Sequence, residues 1–422
     1  MEKLIMLLAA VALLAVSGFT ALPVNIEATP EAKKVLAYLE AVSAHKRILS
    51  GQESPYDMQY ARHIQQVTGK WPAIIGLDFY CEDTIAYRPE MIATAIEYWR
   101  AGGLVTICWH ETSPKEAAPD AGGWESVRSS MSQRDFNEVV TPGTRLFDRW
   151  LANVDIIAAM LKELRDSGVV VLWRPYHEMN GNWFWWGNKK PSSYKKLWNN
   201  LYDRLTCDWG LDNLIWVWSP SSTSDAAKYL PELVDVGGVD HYTPERDDDK
   251  WVTQDASLSK IMNGKPRSIA ECGLVPNPEA LKAGTGYAWF LVWAFGWCDR
   301  TAFGRPPANG PGNTPEQLRD LYYHPVCLTR DEVFADLDTL TDWNNMTAAP
   351  EELPNPFGLA AAACVVGAPK NRGNQVAELA YARTQDYDGW PWELAEFMNN
   401  ITAYLPGKGK QGRTRKSVLD EV

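Results

Sequence analysis

The chain has 422 residues, with 41 Lys and Arg against 53 Asp and Glu, so its formal net charge is −12. That surplus of acid argues against a nucleic-acid or anionic-membrane partner, because neutralising phosphates takes surplus Lys and Arg. A hydrophobic content of 45% excludes wholesale disorder, and the length allows one large domain with additions or two smaller ones. Twenty tryptophans are a heavy load; about half are expected in the core, and the rest on a surface that stacks flat ligands.

In chain order, Met1-Glu2-Lys3 precedes an apolar run from Leu4 to Val16, followed by Ser17, Gly18 and Ala21. The run is shorter than the roughly 20 residues that span a bilayer. It reads as a secretory signal peptide over residues 1–21, cleaved after Gly18 or after Ala21, and no later segment is long and apolar enough to span a membrane.

From about residue 30 to 343, short apolar and β-branched runs alternate with segments of helical spacing. The runs are Arg47–Gln52, Ala73–Phe79, Leu104–His110, Val169–Glu178, Leu214–Ser219, Val236–Tyr242, Ser268–Gly273 and Ala288–Trp297. Between the third and fourth, Leu151, Val154, Ile157, Ala158, Leu161 and Leu164 form one helical stripe, which Gly168 terminates. Eight strands alternating with helices predict an α/β fold, a closed (β/α)8 TIM barrel over residues 22–345. An open doubly wound sheet is the alternative, but the chain carries neither a G-x-G-x-x-G after the first strand nor a Walker A loop.

Thr301–Gln317, rich in Gly, Pro and Asn, reads as a long surface loop. Residues 346–422 have weak patterning and end in a basic stretch, and they read as an irregular, partly disordered extension. Of seven cysteines, Cys108 and Cys272 sit inside apolar runs and are expected as buried free thiols; an odd number permits at most three disulfides. Sequons stand at Asn345 and Asn400.

In such a barrel the site lies where the strands end at their C-terminal face. The third run ends in Cys108-Trp109-His110. The fourth ends in Trp173-Arg174-Pro175-Tyr176-His177-Glu178, the sixth in Asp240-His241-Tyr242 and the seventh in Ala270-Glu271-Cys272. The eighth carries Trp289, Trp293 and Trp297. Glu178 and Glu271, three strands apart, face each other across the mouth, an arrangement suited to glycoside hydrolysis. Burial and the neighbouring anion would keep Glu178 protonated, while Arg174 and Tyr242 would keep Glu271 ionised. Several aromatics of Trp183-Phe184-Trp185-Trp186 are expected to line the cleft, where flat rings stack on pyranose faces.

The stretch Trp173-Arg174-Pro175-Tyr176-His177-Glu178-Met179-Asn180-Gly181-Asn182-Trp183-Phe184-Trp185-Trp186-Gly187 resembles the signature of glycoside hydrolase family 26, whose best-known members are endo-β-1,4-mannanases. Gly102–His110, Gly143-Thr144, Gly238–Tyr242 and Ser268–Gly273 also match. The resemblance covers about residues 30–343 and implies a retaining barrel, with Glu178 as general acid/base and Glu271 as nucleophile. It implies that Tyr242 hydrogen-bonds the nucleophile. His110, Arg174, His177 and Asp240 would hold the catalytic geometry and the sugar hydroxyls, and Trp183 and Trp293 would stack on sugars flanking the cut. Cys272 replaces the Phe that follows the nucleophile in many members. Thr301–Gln317 and the tail beyond 350 depart from the family pattern.

The expected protein is therefore a secreted, monomeric endo-β-1,4-mannanase acting on mannan, glucomannan or galactomannan, with no metal, no cofactor, no nucleic-acid partner and no membrane association. A β-1,3-xylanase or mixed-linkage glucanase on the same machinery, a non-catalytic carbohydrate-binding protein, and a scaffolding protein are the alternatives.

Overall fold

In the computed structural model, residues 22–79, 84–242, 248–304, 306 and 310–335 are described. The expectations for residues 1–21, Cys81, Asn345, Cys364, Asn400 and the extension 346–422 lie outside them. The chain divides into two units, Met1–Ala349 and Pro350–Val422. Among the described residues, no helix is long and apolar enough to cross a membrane.

All eight predicted strands are present. They are β1 (Ile48–Leu49, resuming as Gly51–Glu53), β2 (Ile74–Phe79), β3 (Leu104–Trp109), β4 (Val171–Pro175), β5 (Leu214–Trp218), β6 (Val236–His241), β7 (Arg267–Cys272) and β8 (Tyr287–Val292). Each pairs in parallel with the next. β8 returns to β1 through Leu49 opposite Trp289 and Gln52 opposite Val292, which closes the TIM barrel. Closure with helices outside buries both strand faces, which is why the runs are apolar throughout rather than alternating.

The period-2 alternation of each strand nevertheless sorts its side chains into two layers. Ile75, Leu77, Val105, Ile107, Val171 and Trp173 face outward and pack with the helices. Leu49, Ile74, Leu104, Leu172, Ile215, Val217 and Leu291 face inward. Two or four residues further along the same inward face, toward the C-terminal ends, stand Asp78, Cys108, Arg174 and Ser219. The barrel interior is thus apolar below and polar above.

The lower half is sealed by helix α1 (Pro30–Ala44), whose Val35, Leu36, Leu39 and Val42 pack on the inward-facing strand residues. Thr29 caps that helix, its side chain accepting the Ala32 N–H, and Pro30 fills the first position where no donor is needed. Burying each such aliphatic side chain contributes about 1.5–3 kcal/mol.

Of the outer helices, α2 (Arg145–Asp166) carries the predicted stripe. Val154, Ile157, Ala158, Leu161 and Leu164 are buried, and Leu151 is packed against the same cluster. It starts at Thr144, whose hydroxyl accepts the Phe147 N–H, and ends at Gly168 with φ +77°.

The predicted surface loop Thr301–Gln317 is only partly a loop. A helical turn covers Arg300–Phe303, and helix α3 (Pro315–Tyr323) begins behind a capping box in which Thr314 and Gln317 satisfy each other's backbone N–H groups. Asn313 between them is buried. Cys108 and Cys272 are buried free thiols; Cys207, Cys298 and Cys327 are also free.

Candidate active site

β4 delivers the largest group of polar residues. Leu172 and Arg174 share the inward face, and Arg174 is buried inside the barrel. Its guanidinium donates to Asp240 Oδ2 at 3.2 Å and to Glu271 Oε1 at 2.5 Å. Burial opposes its charge, but the carboxylates of Glu271 and Asp240 raise its pKa above even the usual guanidinium value. Asp240 also accepts the Ser219 hydroxyl at 2.8 Å. A register shift between Val239 and Asp240 gives β7 one extra residue there, and this bulge sets Asp240 directly opposite Glu271.

Glu271 is buried and takes its second bond from the Tyr242 hydroxyl, 2.8 Å from Oε2. Both predicted partners of this carboxylate are therefore present. His177 Nε2 lies 3.8 Å from Glu271 Oε1, too far for a hydrogen bond. Burial, the Arg174 charge and His110 hold His177 well below the usual imidazole pKa, so the contact is between a neutral ring and a carboxylate.

Glu178 sits just past β4 in a left-handed conformation, φ +55°, and Tyr176 two residues earlier has φ +47°. Non-glycine residues in this region cost about 1–3 kcal/mol each and persist where the surroundings over-determine them. That condition is met here. The Glu178 N–H donates to Ser219 O at 2.7 Å, Trp186 Nε1 to His177 O at 2.8 Å, and the Tyr194 hydroxyl to Tyr176 O at 3.2 Å. The Tyr176 hydroxyl accepts from Trp150 Nε1 at 2.7 Å and donates to Glu111 Oε2 at 2.8 Å.

The Glu178 carboxyl is pushed up to about 8, first by burial and then by the Glu271 charge. The Trp183 N–H and Arg174 oppose the rise. Glu178 is therefore an acid at neutral pH beside a carboxylate whose partners are an arginine and a tyrosine hydroxyl. Two carboxyl groups in such unlike surroundings can divide proton donation and nucleophilic attack between them.

Trp183 is half-exposed at 40%, and its indole N–H donates to Glu178 Oε2 at 2.5 Å. It is alone in this: Phe184, Trp185 and Trp186 are buried, with Phe184 stacked on Trp186 at 4.5 Å. The expectation that several of these aromatics line the cleft is corrected. Only one ring faces solvent, while the others plug the loop and hold it in place. The tryptophan load divides as expected, with eleven of the twenty buried, Trp109, Trp150, Trp173, Trp198, Trp216, Trp218 and Trp289 fully so. On the eighth strand only Trp293 is partly exposed; Trp289 packs inside the barrel and Trp297 is buried beyond it.

His110 is buried at the end of β3, with Nδ1 2.6 Å from Asp78 Oδ2. Its ring meets His177 edge-on at 4.7 Å and lies 6.2 Å from Trp293. All nine predicted site residues thus gather at the C-terminal mouth. Sequence reasoning missed Asp78, Glu111 and Tyr176, which brace them, and Glu53, a buried carboxyl on β1 raised well above its usual range by burial and by Asp78.

Asp78, Cys108 and His110 bring metal-ligand atoms within 4.8 Å of one another. Burial, Asp78 and Glu53 push the Cys108 thiol well above its usual pKa.

The chain is 31% identical over 320 residues to a mannan endo-1,4-beta-mannosidase of Thermothelomyces thermophilus, covering 73% of this chain and 62% of that protein. It is also 31% identical over 316 residues to a protein of the same name from Bacillus subtilis strain 168, covering 68% and 83%. The structure of GH26A from Muricauda sp. MAR_2010_75 superposes with a TM-score of 0.65 at 35% identity, covering 73% of this chain and 99% of that one. The beta-mannanase from a symbiotic protist of the termite Reticulitermes speratus, complexed with gluco-manno-oligosaccharide, superposes at 0.64 with 29% identity, covering 75% and 98%. A sequence model of glycosyl hydrolase family 26 matches residues 24–332, which takes in every strand of the barrel and both glutamates, and the chain belongs to that family.

Proposed function

We propose that the protein is a secreted endo-β-1,4-mannanase that cuts mannan-type polysaccharide with retention of configuration. The observation that carries this reading is Glu271 anchored by Arg174 and Tyr242 at the same mouth as Glu178, a buried carboxyl held by the Trp183 N–H and pushed up to about 8. The names of its relatives support the choice of polymer.

In the first step a Glu271 oxygen attacks the anomeric carbon. The bond to the leaving sugar oxygen breaks, and Glu178 passes its proton to that oxygen. In the second step a water gives a proton to the Glu178 carboxylate and attacks the same carbon, and Glu271 departs with the electrons of the ester bond. Arg174 and Tyr242 stabilise the Glu271 carboxylate before attack and on departure. Trp183 and Trp293 offer the rings for flanking sugars, and His110, His177 and Asp240 hold the geometry of the cleavage subsite. The enzyme acts as a monomer and needs no cofactor.

The test is a panel of mannan, glucomannan, galactomannan, β-1,3-xylan and lichenan, with proton NMR of the first product. Cleavage of the mannans to a β-configured reducing end is expected. A preference for xylan or lichenan would replace the polymer, and an inverted anomer would replace the mechanism. Glu178→Ala and Glu271→Ala should each lose turnover on polymer, whereas a pure carbohydrate binder has none to lose. Glu178→Ala should still form the glycosyl-enzyme from an activated aryl glycoside, which needs no proton to leave.

A further inference from the structure

The segment that departs from the family pattern sends one buried side chain to the loop behind Glu271. The Asn313 Oδ1 accepts the Val275 N–H at 2.9 Å, while its Nδ2 donates to Gly273 O at 2.9 Å and to Trp297 O at 2.6 Å. One planar amide thus ties the turn leaving β7, two residues past Glu271, to the turn leaving β8. The Trp297 ring is clamped in the same place. A Cβ added at Gly273 would come within 2.5 Å of the indole and one at Gly310 within 1.9 Å, so the ring fills the gap between two glycines. Its centroid lies 5.4 Å from that of Tyr242, whose hydroxyl holds Glu271 Oε2.

We propose that Asn313 is a positioning residue for glycoside cleavage: through Trp297 it fixes the Tyr242 ring, and through Tyr242 the orientation of the Glu271 carboxylate. The inference rests on the reading of Glu271 as nucleophile. No other side chain of this size meets the site's demand for one acceptor and two donors. Asp would face two carbonyls with no proton to offer, and Leu would take away all three side-chain hydrogen bonds. A carboxylate attacking carbon tolerates little displacement, so a support two contacts away still reaches the reacting atom.

The experiment compares Asn313→Ala, Tyr242→Phe and the double variant on whichever β-glycan the wild type cleaves fastest. Asn313→Ala should lower kcat about tenfold or more, with KM little changed. In the Tyr242→Phe background the same substitution should cost under about twofold, because its route to Glu271 is already cut. Trp297→Phe carries the same test if Asn313→Ala fails to fold, since it keeps a ring between the glycines while shrinking the face toward Tyr242. Leu161→Ala, in the outer layer, serves as the control for lost stability and should leave kcat unchanged.

Equal losses in both backgrounds, a loss confined to KM, or a matching loss of kcat in Leu161→Ala would overturn the inference. Glu271→Ala is read separately. Retained turnover there would remove the nucleophile assignment itself and this inference with it. Abolished turnover together with additive losses would remove only the role of Asn313.

Discussion

Replacing Trp183 by Phe isolates one hydrogen bond to the proton donor. The substitution keeps a ring at the cleft and deletes the N–H that reaches Glu178 Oε2. That donor favours the charged carboxylate, so it holds down a pKa that burial and Glu271 raise to about 8. A bond to a charged group contributes about 1.5–3 kcal/mol when sheltered. The indole is 40% exposed, and water can replace part of it, which reduces the expected effect to about 1 kcal/mol, or roughly 0.7 of a pH unit. The sign is fixed: losing a donor to the anion raises the pKa, so the acid form survives to higher pH. The pH dependence of kcat/KM on mannan, at constant ionic strength, should show the wild type losing activity as pH rises through about 8, and Trp183→Phe losing it later. An alkaline limb that stays put or moves to lower pH would refute the assignment of Glu178 as the donor restrained by Trp183.

Arg174→Met leaves Asp240 and Glu271 as buried carboxylates without their cation; unfolding in urea should show a loss of about 3–5 kcal/mol, which lowering the pH partly restores. Tyr176→Phe leaves Glu111 and the Trp150 N–H without the shared hydroxyl; it should cost about 1–3 kcal/mol in thermal unfolding and lower kcat by loosening the left-handed backbone beneath Glu178. Thr144→Ala removes the cap of α2 and should cost about 1 kcal/mol with kcat unchanged, because that helix end touches none of the site residues.

The barrel was legible because its strands are buried on both faces, so each stands out as a compact apolar run. The predicted site was legible because polar residues terminate those runs, and Glu178 and Glu271 fall where the fold places chemistry. The bracing residues escaped for different reasons. Asp78 was visible as the lone charge inside Ile74–Phe79, but only the inward alternation of β2 gives it meaning. Glu111 and Tyr176 meet across 65 positions of sequence, and Asn313 reaches Gly273 across 40; no local pattern encodes such pairings. The aromatic run Trp183–Trp186 misled because composition shows ring surface without showing which side of a turn it occupies. Two of its four rings are fully buried, since a loop carrying a strained residue needs mass behind it.

The plug helix α1 imposes an order on biosynthesis. It is the first described helix to leave the ribosome, yet its apolar side packs on side chains from β1, β5 and β8, the last of which emerges about 250 residues later. Until Leu291 is available, that greasy surface has no permanent seat, and the nascent polypeptide must carry it uncovered or shielded by a helper. Closing the cylinder and stoppering its base therefore both wait for β8, and no N-terminal fragment that stops short of it can assemble the catalytic rim.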